Sequence, residues 1–384
     1  MRRFELRLSA LLCATVGLVL MLAVGAHAGQ SSPPLVMPGT QGGGSTTLEL
    51  PTSPGAQHDL NIPPPPPAQQ ELVIPSRQLR EQPGYQQVTV TVTDRNGAYV
   101  TGLNKDDFKL YMDGQDRPIQ FFRQDLNTPV SVGILVDTSG SMMPKIPQAR
   151  LAIAQFLQDL NDRDDVFLFA FSSRPFLLQP FTTDHSLVMR RLSLLHAYGQ
   201  TSLFDAVLEG LYTVQRGRYD KKALLVVTDG MDNTSVHSLQ EVVAQARRQG
   251  VLIYSIGIGD PNASSIPGAI ALGPFVIAGD SDRVDTETLK MLSVETGAKT
   301  FLVRQVGDGE LLRQYCENIS RELREQYTVG FLAPDPTSGG YRSLRVDVPG
   351  RPGSDVRVRK GIDVGSGGGS PPSYAGGYPG PGTP

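Results

Sequence analysis

Val130-Ser131-Val132-Gly133-Ile134-Leu135-Val136 runs straight into Asp137-Thr138-Ser139-Gly140-Ser141. An apolar run of this length, bounded by a polar loop, reads as a strand buried in a sheet. The loop then carries an oxygen-bearing side chain at every second position. Asp-x-Ser-x-Ser places Asp137, Ser139 and Ser141 along one face of a tight turn. Hard oxygen ligands so arranged suit a divalent cation.

Downstream the pattern alternates between helices and strands. Residues 145–160 read as a helix with Ile146, Ala149, Ile153, Phe156 and Leu160 on one face. Residues 165–173 read as a strand, and 175–181 as an edge strand because both ends carry proline. Helices are expected at 186–195 and 202–215, and a wholly apolar strand at 223–228. Ser238-Leu239-Gln240-Glu241 is a capping box that opens a helix ended by Gly250. A strand over 251–258, a helix over 286–296 stopped by Gly297, a short strand over 299–303 and a last helix over 308–326 complete the series.

Apolar strands alternating with helices imply an α/β fold: a doubly wound, mostly parallel sheet covered on both faces. Ligands of such sheets lie at the carboxyl ends of the strands. Asp137 ends the first strand and Asp229-Gly230 follows strand 223–228, so these two segments should converge. Gly199-Gln200-Thr201-Ser202 brings further side-chain oxygens to the start of a helix.

The segments on either side read as β. Val88, Val90 and Val92 alternate with Thr89, Thr91 and Thr93, the pattern of a half-buried strand, and Asn96-Gly97 is a turn. Short strands at 109–112 and 119–122 follow. After the last helix come strands at 327–332, 344–348 and 356–360. Each β segment is thin for independent stability, so the two are expected to pair into one small β-sandwich. Arg345, Arg357 and Arg359 alternate with valines, as on a solvated strand face. Residues 260–284 form a Gly/Pro/Ser-rich insertion, either a loop packed on the sheet end or a binding loop.

The chain of 384 residues carries a formal net charge of −3, which gives no pull towards nucleic acid or an acidic membrane. Residues 1–28 have the form of a secretory signal peptide. Arg2, Arg3 and Arg7 precede an apolar run over 11–24, and Ala26-His27-Ala28 is a small-x-small cleavage site. A membrane anchor is the alternative, but the run is short for a span. Cleavage would leave about −5 on the mature chain, no membrane span, and Cys316 as its one cysteine. Cys316 shares a helical stripe with Leu312, Ile319 and Leu323 and reads as a buried apolar residue. The expected organisation is therefore a signal peptide (1–28), a Pro/Gly-rich linker (29–78), an N-terminal β segment (79–127), the α/β domain (128–326), a C-terminal β segment (327–362) and a disordered tail (363–384).

His185, His196 and His237 share no zinc-ligand spacing. No Ser-His-Asp, paired-carboxylate or phosphate-loop arrangement stands in the order such chemistry needs. An aspartyl phosphatase would need a second Asp two residues after Asp137, where Ser139 stands. The chain is not expected to be an enzyme.

Residues 130–325 resemble the von Willebrand factor type A domain and its metal-ion-dependent adhesion site. That family's pattern is Asp-x-Ser-x-Ser, then a Thr in a glycine-led turn, then an Asp after an apolar strand. Here these are Asp137, Ser139, Ser141, Thr201 and Asp229. The flanks, with Leu103 to Phe108 before the domain and an Arg-rich strand at the end, resemble a bacterial relative of that family known from acidobacterial genomes. The resemblance implies that Ser139, Ser141 and Thr201 coordinate a metal, with Asp137 and Asp229 binding directly or through water. Mg2+ is the expected ion, with Ca2+ or Mn2+ as alternatives. Asp205 either supports the ligands from behind or sets a negative charge in a helix's first turn. Asp232 and Asn233 either form the turn or line the partner-binding rim.

The function so implied is an exported binding module, periplasmic, surface-bound or released. It would recognise a protein with an exposed Asp or Glu through the metal. The alternative is an envelope component whose metal only stabilises the fold.

Overall fold

The computed structural model describes residues 75–262, 270–272, 275–277, 283–304, 309–333 and 339–364. The expected signal peptide, nearly all of the linker, and the tail from residue 365 lie outside these. After a short helix α1 (Arg77–Arg80), four strands open the chain: β1 (Tyr85–Thr93), β2 (Lys109–Met112), β3 (Gln115–Arg117) and β4 (Ile119–Gln124). The α/β part follows as β5 (Ser131–Asp137), α2 (Ile146–Asp159), β6 (Asp165–Phe171), β7 (Pro175–Thr182), α3 (His185–Leu192), α4 (Leu203–Val214) and β8 (Lys222–Thr228). It continues with α5 (Leu239–Gln249), β9 (Leu252–Ile258), the small hairpin β10 (Ile270–Leu272) and β11 (Phe275–Ile277), then α6 (Thr286–Thr296), β12 (Thr300–Val303) and α7 (Gly309–Arg324). The last strands are β13 (Tyr327–Leu332), β14 (Gly340–Asp347), β15 (Asp355–Arg357) and β16 (Gly361–Val364).

The central sheet runs β12-β9-β8-β5-β6-β7. All its pairings are parallel except that of β7, which runs antiparallel at the edge. Its interior strands are apolar because both faces are covered. On one face Val132, Ile134 and Val136 pack with α2 and α7 side chains such as Phe156 and Leu323. On the other, Leu135 and Leu224 pack with Leu211 of α4 and Val243 of α5. Gly133 leaves no room for a side chain on the second face: a Cβ there would lie 2.2 Å from Phe167 Cζ.

The chain enters at β5, winds outward through β6 and β7, then returns to β8 on the other side of β5. The winding direction therefore reverses between β5 and β8. From their carboxyl ends the chain runs to helices on opposite faces of the sheet, α2 on one and α5 on the other, and ligands of such sheets lie at this switch point.

The flanking strands pair across the length of the chain into a two-sheet sandwich. One sheet has the order β15-β1-β13-β4 and the other β16-β14-β2-β3. Val88, Val90 and Val92 meet Leu110, Leu344, Val346 and Ile362 in one core between them. The far side of the first sheet rests on the α/β domain, so β1 differs from its expected half-buried state. Thr91 and Thr93 are buried too, and Thr91 Oγ1 accepts from Gln326 Nε2 at 2.9 Å.

The same junction corrects the reading of two arginines. Arg357 and Arg359 are not on a solvated face. Arg357 pairs with the buried Glu322 of α7. Arg359 donates to the carbonyls of Arg247 and Gln87. Only Arg345 of the three is well exposed, with 65% of its side chain open to solvent. Order also extends past the expected start of the tail: Val364 is buried in the sandwich, and Asp363 pairs with Arg247 at 3.4 Å. At the other end, Arg77 and Gln78 of the expected linker already belong to α1. Within the 260–284 insertion, the choice between a packed loop and a binding loop turns largely on residues that are not described.

Candidate metal centre

The site is built where β5 and β8 end side by side. Val136 pairs with Val227, which puts Asp137 next to Thr228 and Asp229 one residue beyond. Thr138 leaves the sheet with its N–H and its hydroxyl both donating to the Phe171 carbonyl. Ser139 N then donates to Asp137 Oδ1 at 2.8 Å, an Asx turn that folds the loop over the strand end. Ser139 Oγ and Ser141 Oγ come within 3.1 Å of each other, so both hydroxyls share one face of the loop.

The helix expected from residue 145 begins one residue later, at Ile146. Gly140–Lys145 is a tighter 3-10 turn with Pro144 inside it. Its start is tied to the Thr201 loop by Gly140 N donating to the Gly199 carbonyl at 3.0 Å. Tyr198 N donates to the Thr138 carbonyl at 2.8 Å, a second tie between the same loops.

Thr201 is fixed from behind by the loop after β8. Its N–H donates to Asn233 Oδ1 at 2.9 Å, and its carbonyl accepts from the N–H groups of Asn233 and Thr234. Asp232 Oδ2 accepts from Phe204 N and from Ser235 Oγ. Asp205 Oδ2 accepts from Val236 N, and its Oδ1 from His237 N and Nδ1. Asp205, Asp232 and Asn233 thus stitch the 231–237 loop to the start of α4.

Asp229 is set by Gly230, whose φ of +79° suits glycine and whose Cβ position lies 2.7 Å from the Asp285 carbonyl. Asp285 N in turn donates to the Asp229 carbonyl at 2.8 Å.

The electrostatics are those of two carboxylates sealed from solvent. Asp137 and Asp229 are both fully buried, while Ser139 and Thr201 are nearly so. Burial pushes Asp137 up to about 7, and the neighbouring charge of Asp229 adds to the rise. Thr228 Oγ1 donates to Asp137 Oδ2 at 2.6 Å and opposes it. Met231 N reaches Asp229 Oδ1 at 3.3 Å, but Asp229 Oδ2 accepts no hydrogen bond among the described residues. A buried carboxylate oxygen without a hydrogen-bond donor is costly, and the two carboxylates and three hydroxyls offer only oxygen as ligand atoms. The residues present therefore fit a hard divalent cation. Among the described residues there is no group of three or more His, Cys, Asp or Glu that could hold a metal ion.

Two contributors escape a reading of motifs. Thr228 is the hydroxyl that holds Asp137 in place. Lys145 places Nζ 3.5 Å from Asp229 Oδ2. Its sequence signal is position: it lies between Met142 and Ala149 on the buried side of its segment, an odd place for a lysine.

The family model for the von Willebrand factor type A domain matches residues 131–304. An uncharacterized protein of Borreliella burgdorferi is 25% identical over 146 residues, 37% of this chain and 43% of that protein. Inter-alpha-trypsin inhibitor heavy chain H4 of Bos taurus is 27% identical over 159 residues, 37% of this chain and 17% of its own length. The chain thus spans less than half the length of these curated relatives. The solved structure of von Willebrand factor type A from Catenulispora acidiphila is 10% identical, covers 74% of each chain and superposes with a TM-score of 0.43. The switch-point sheet, the three converging loops and the family match agree: residues 131–304 of this chain are a von Willebrand factor type A domain, a protein-interaction module.

Proposed function

We propose that the domain recognises a protein partner through a divalent cation held by Asp137, Ser139, Ser141, Thr201 and Asp229, the partner donating an Asp or Glu carboxylate. Mg2+ is the first candidate, with Ca2+ or Mn2+ as alternatives. The observation that carries this is the pair of fully buried carboxylates at the switch point, one oxygen of which accepts no hydrogen bond among the described residues and faces the Lys145 ammonium at 3.5 Å. When bound, the metal supplies a positive, oxygen-seeking centre, and neutral hydroxyl ligands leave much of that charge unspent. The chain's own part is to hold the five oxygens in place through the Gly140–Gly199 and Thr201–Asn233 ties.

The surroundings suit a protein partner. Met143 is 64% exposed, Tyr198 58% and Val236 88%, and each stands on a loop that carries or braces a ligand. Exposed apolar side chains around a polar centre are the form of a recognition surface. The signal-like residues 1–28 support an exported protein in the periplasm, on the surface or released. Among the described residues no helix is long and apolar enough to cross a membrane. The all-oxygen character of the set favours binding, and binding rather than catalysis is proposed.

The test is capture of partners from the native cell envelope with and without Mg2+, using the full chain and Asp137→Ala. Capture should require the metal and vanish in the variant. Equal capture by the variant would sink the proposal.

A further inference from the structure

Lys145 closes the 3-10 turn that Gly140 opens and so lies four residues after Ser141. Its side chain is sealed in the protein, 1% exposed. Lysine ordinarily keeps its ammonium in water, because burying the charge is expensive unless a counter-charge meets it. Here the counter-charge is Asp229, whose Oδ2 lies 3.5 Å from Nζ.

The carboxylates explain why a lysine should be kept there. Of the four oxygens on Asp137 and Asp229, three accept hydrogen bonds, from Ser139 N, Thr228 Oγ1 and Met231 N. The fourth, Asp229 Oδ2, accepts none among the described residues and is the one beside the ammonium. An apolar residue would fill this place on the buried side of the turn, next to Met142 and Ile146, but would leave two buried negative charges uncompensated.

We propose that Lys145 is a built-in counter-cation of the metal site. With no divalent ion bound, it offsets the charge of Asp229 and lets the empty site stay folded. With an ion bound, two positive centres repel at short range in a poorly screened interior, so the lysine weakens the ion's hold. The site then exchanges its metal readily instead of keeping it as a permanent part of the fold. This rests on the proposed cation site but not on the nature of the partner.

The experiment uses the full chain as wild type, Lys145→Met, Asp229→Asn and the double variant. Mg2+ binding is measured by titration calorimetry, and thermal unfolding is followed in EDTA and in saturating Mg2+. Lys145→Met should bind Mg2+ at least about tenfold more tightly than wild type. Its unfolding midpoint in EDTA should fall by on the order of 10 °C, and Mg2+ should close most of that gap. The double variant should regain much of the loss in EDTA, because it lacks both charges. Equal or weaker Mg2+ binding by Lys145→Met overturns the inference while leaving the metal site standing. Binding by neither protein overturns the metal site and the inference together. If Lys145→Met does not fold in either condition, the double variant decides: recovery in EDTA supports the pairing, and none overturns it.

Discussion

Arg359 donates Nη2 to the carbonyl of Gln87 at 2.8 Å, across 272 residues of chain. Its Nη1 donates to the Arg247 carbonyl at the end of α5 at 2.6 Å. One buried guanidinium therefore joins β1 of the sandwich to the α/β domain. Burial pushes its pKa down to about 10, and the charge of Asp363 opposes that. Arg359→Met removes donors from two carbonyls and should cost about 2–4 kcal/mol, read as a lower denaturant midpoint. An unchanged midpoint would mean that the junction holds without it.

β13 is hydrogen-bonded to both β1 and β4. Deleting residues 327–364 leaves each of those strands without that neighbour and exposes Val88, Val90 and Val92. Hydrogen exchange at these amides should then lose its protection, while the α/β core keeps much of its own. Unchanged protection over 88–92 would show that the N-terminal strands stand alone.

Asp125 is fully buried and accepts from Arg123 Nε at 2.7 Å, Lys221 Nζ at 3.2 Å and Thr328 Oγ1 at 2.8 Å. Burial alone would raise its pKa, but the charges of Lys221 and Arg123 and these hydrogen bonds outweigh it and hold the carboxyl below its usual range. For a carboxylate depressed in the folded state, the stability it contributes is complete above the unfolded value, about 4, and is lost as pH falls through the lower folded value. Wild-type stability should drop below about pH 4, and Asp125→Asn should lose that part of the acid sensitivity. The same variant should cost about 3–5 kcal/mol at pH 7, because two cations lose their shared partner. Urea unfolding at pH 7 and pH 3 measures both effects.

Gly230 has no room for a side chain. Gly230→Ala adds a Cβ within 2.7 Å of the Asp285 carbonyl, at a φ of +79°. About 1–3 kcal/mol of destabilisation is expected from the strain. The displaced Asp229 should also weaken Mg2+ binding, seen by calorimetry. A variant with wild-type Mg2+ affinity would show that the turn does not position the carboxylate.

Cys316 lies in the core between α7 and α2, its Sγ 3.2 Å from the Ala152 carbonyl. Burial pushes the thiol up to about 12, and Asp159 adds to this. It should resist a thiol reagent at pH 8 until the protein unfolds. Mass spectrometry of the labelled peptide checks this, and fast labelling of the native protein would contradict it.

The α/β fold was legible because β5, β8 and β9 carry apolar residues on both faces through most of their length, which a sheet covered on both faces demands. The five candidate oxygen ligands stood out in the sequence through their spacing and their places at the ends of strands or the start of a helix. Arg357 and Arg359 did not. Alternation with valine marks two faces of a strand, but not that the second face meets another layer, and their partners lie far off in sequence. Lys145 was hidden differently. As one charge near a helix start it looks ordinary, and only the fold brings Asp229 to it. Thr228 ended a strand in the expected way, yet its hydrogen bond to Asp137 depends on the register between β8 and β5.

The placement of β1 between β13 and β15 has a kinetic consequence. A strand made early in synthesis finds its partners only when the last few dozen residues have emerged. Contact order is therefore high for the sandwich and low for the domain it encloses, and such long-range pairing is slow. The α/β units can form one after another on the nascent chain, whereas the sandwich closes last. Until it closes, β1 is an open edge that a chaperone, or a second copy, can reach.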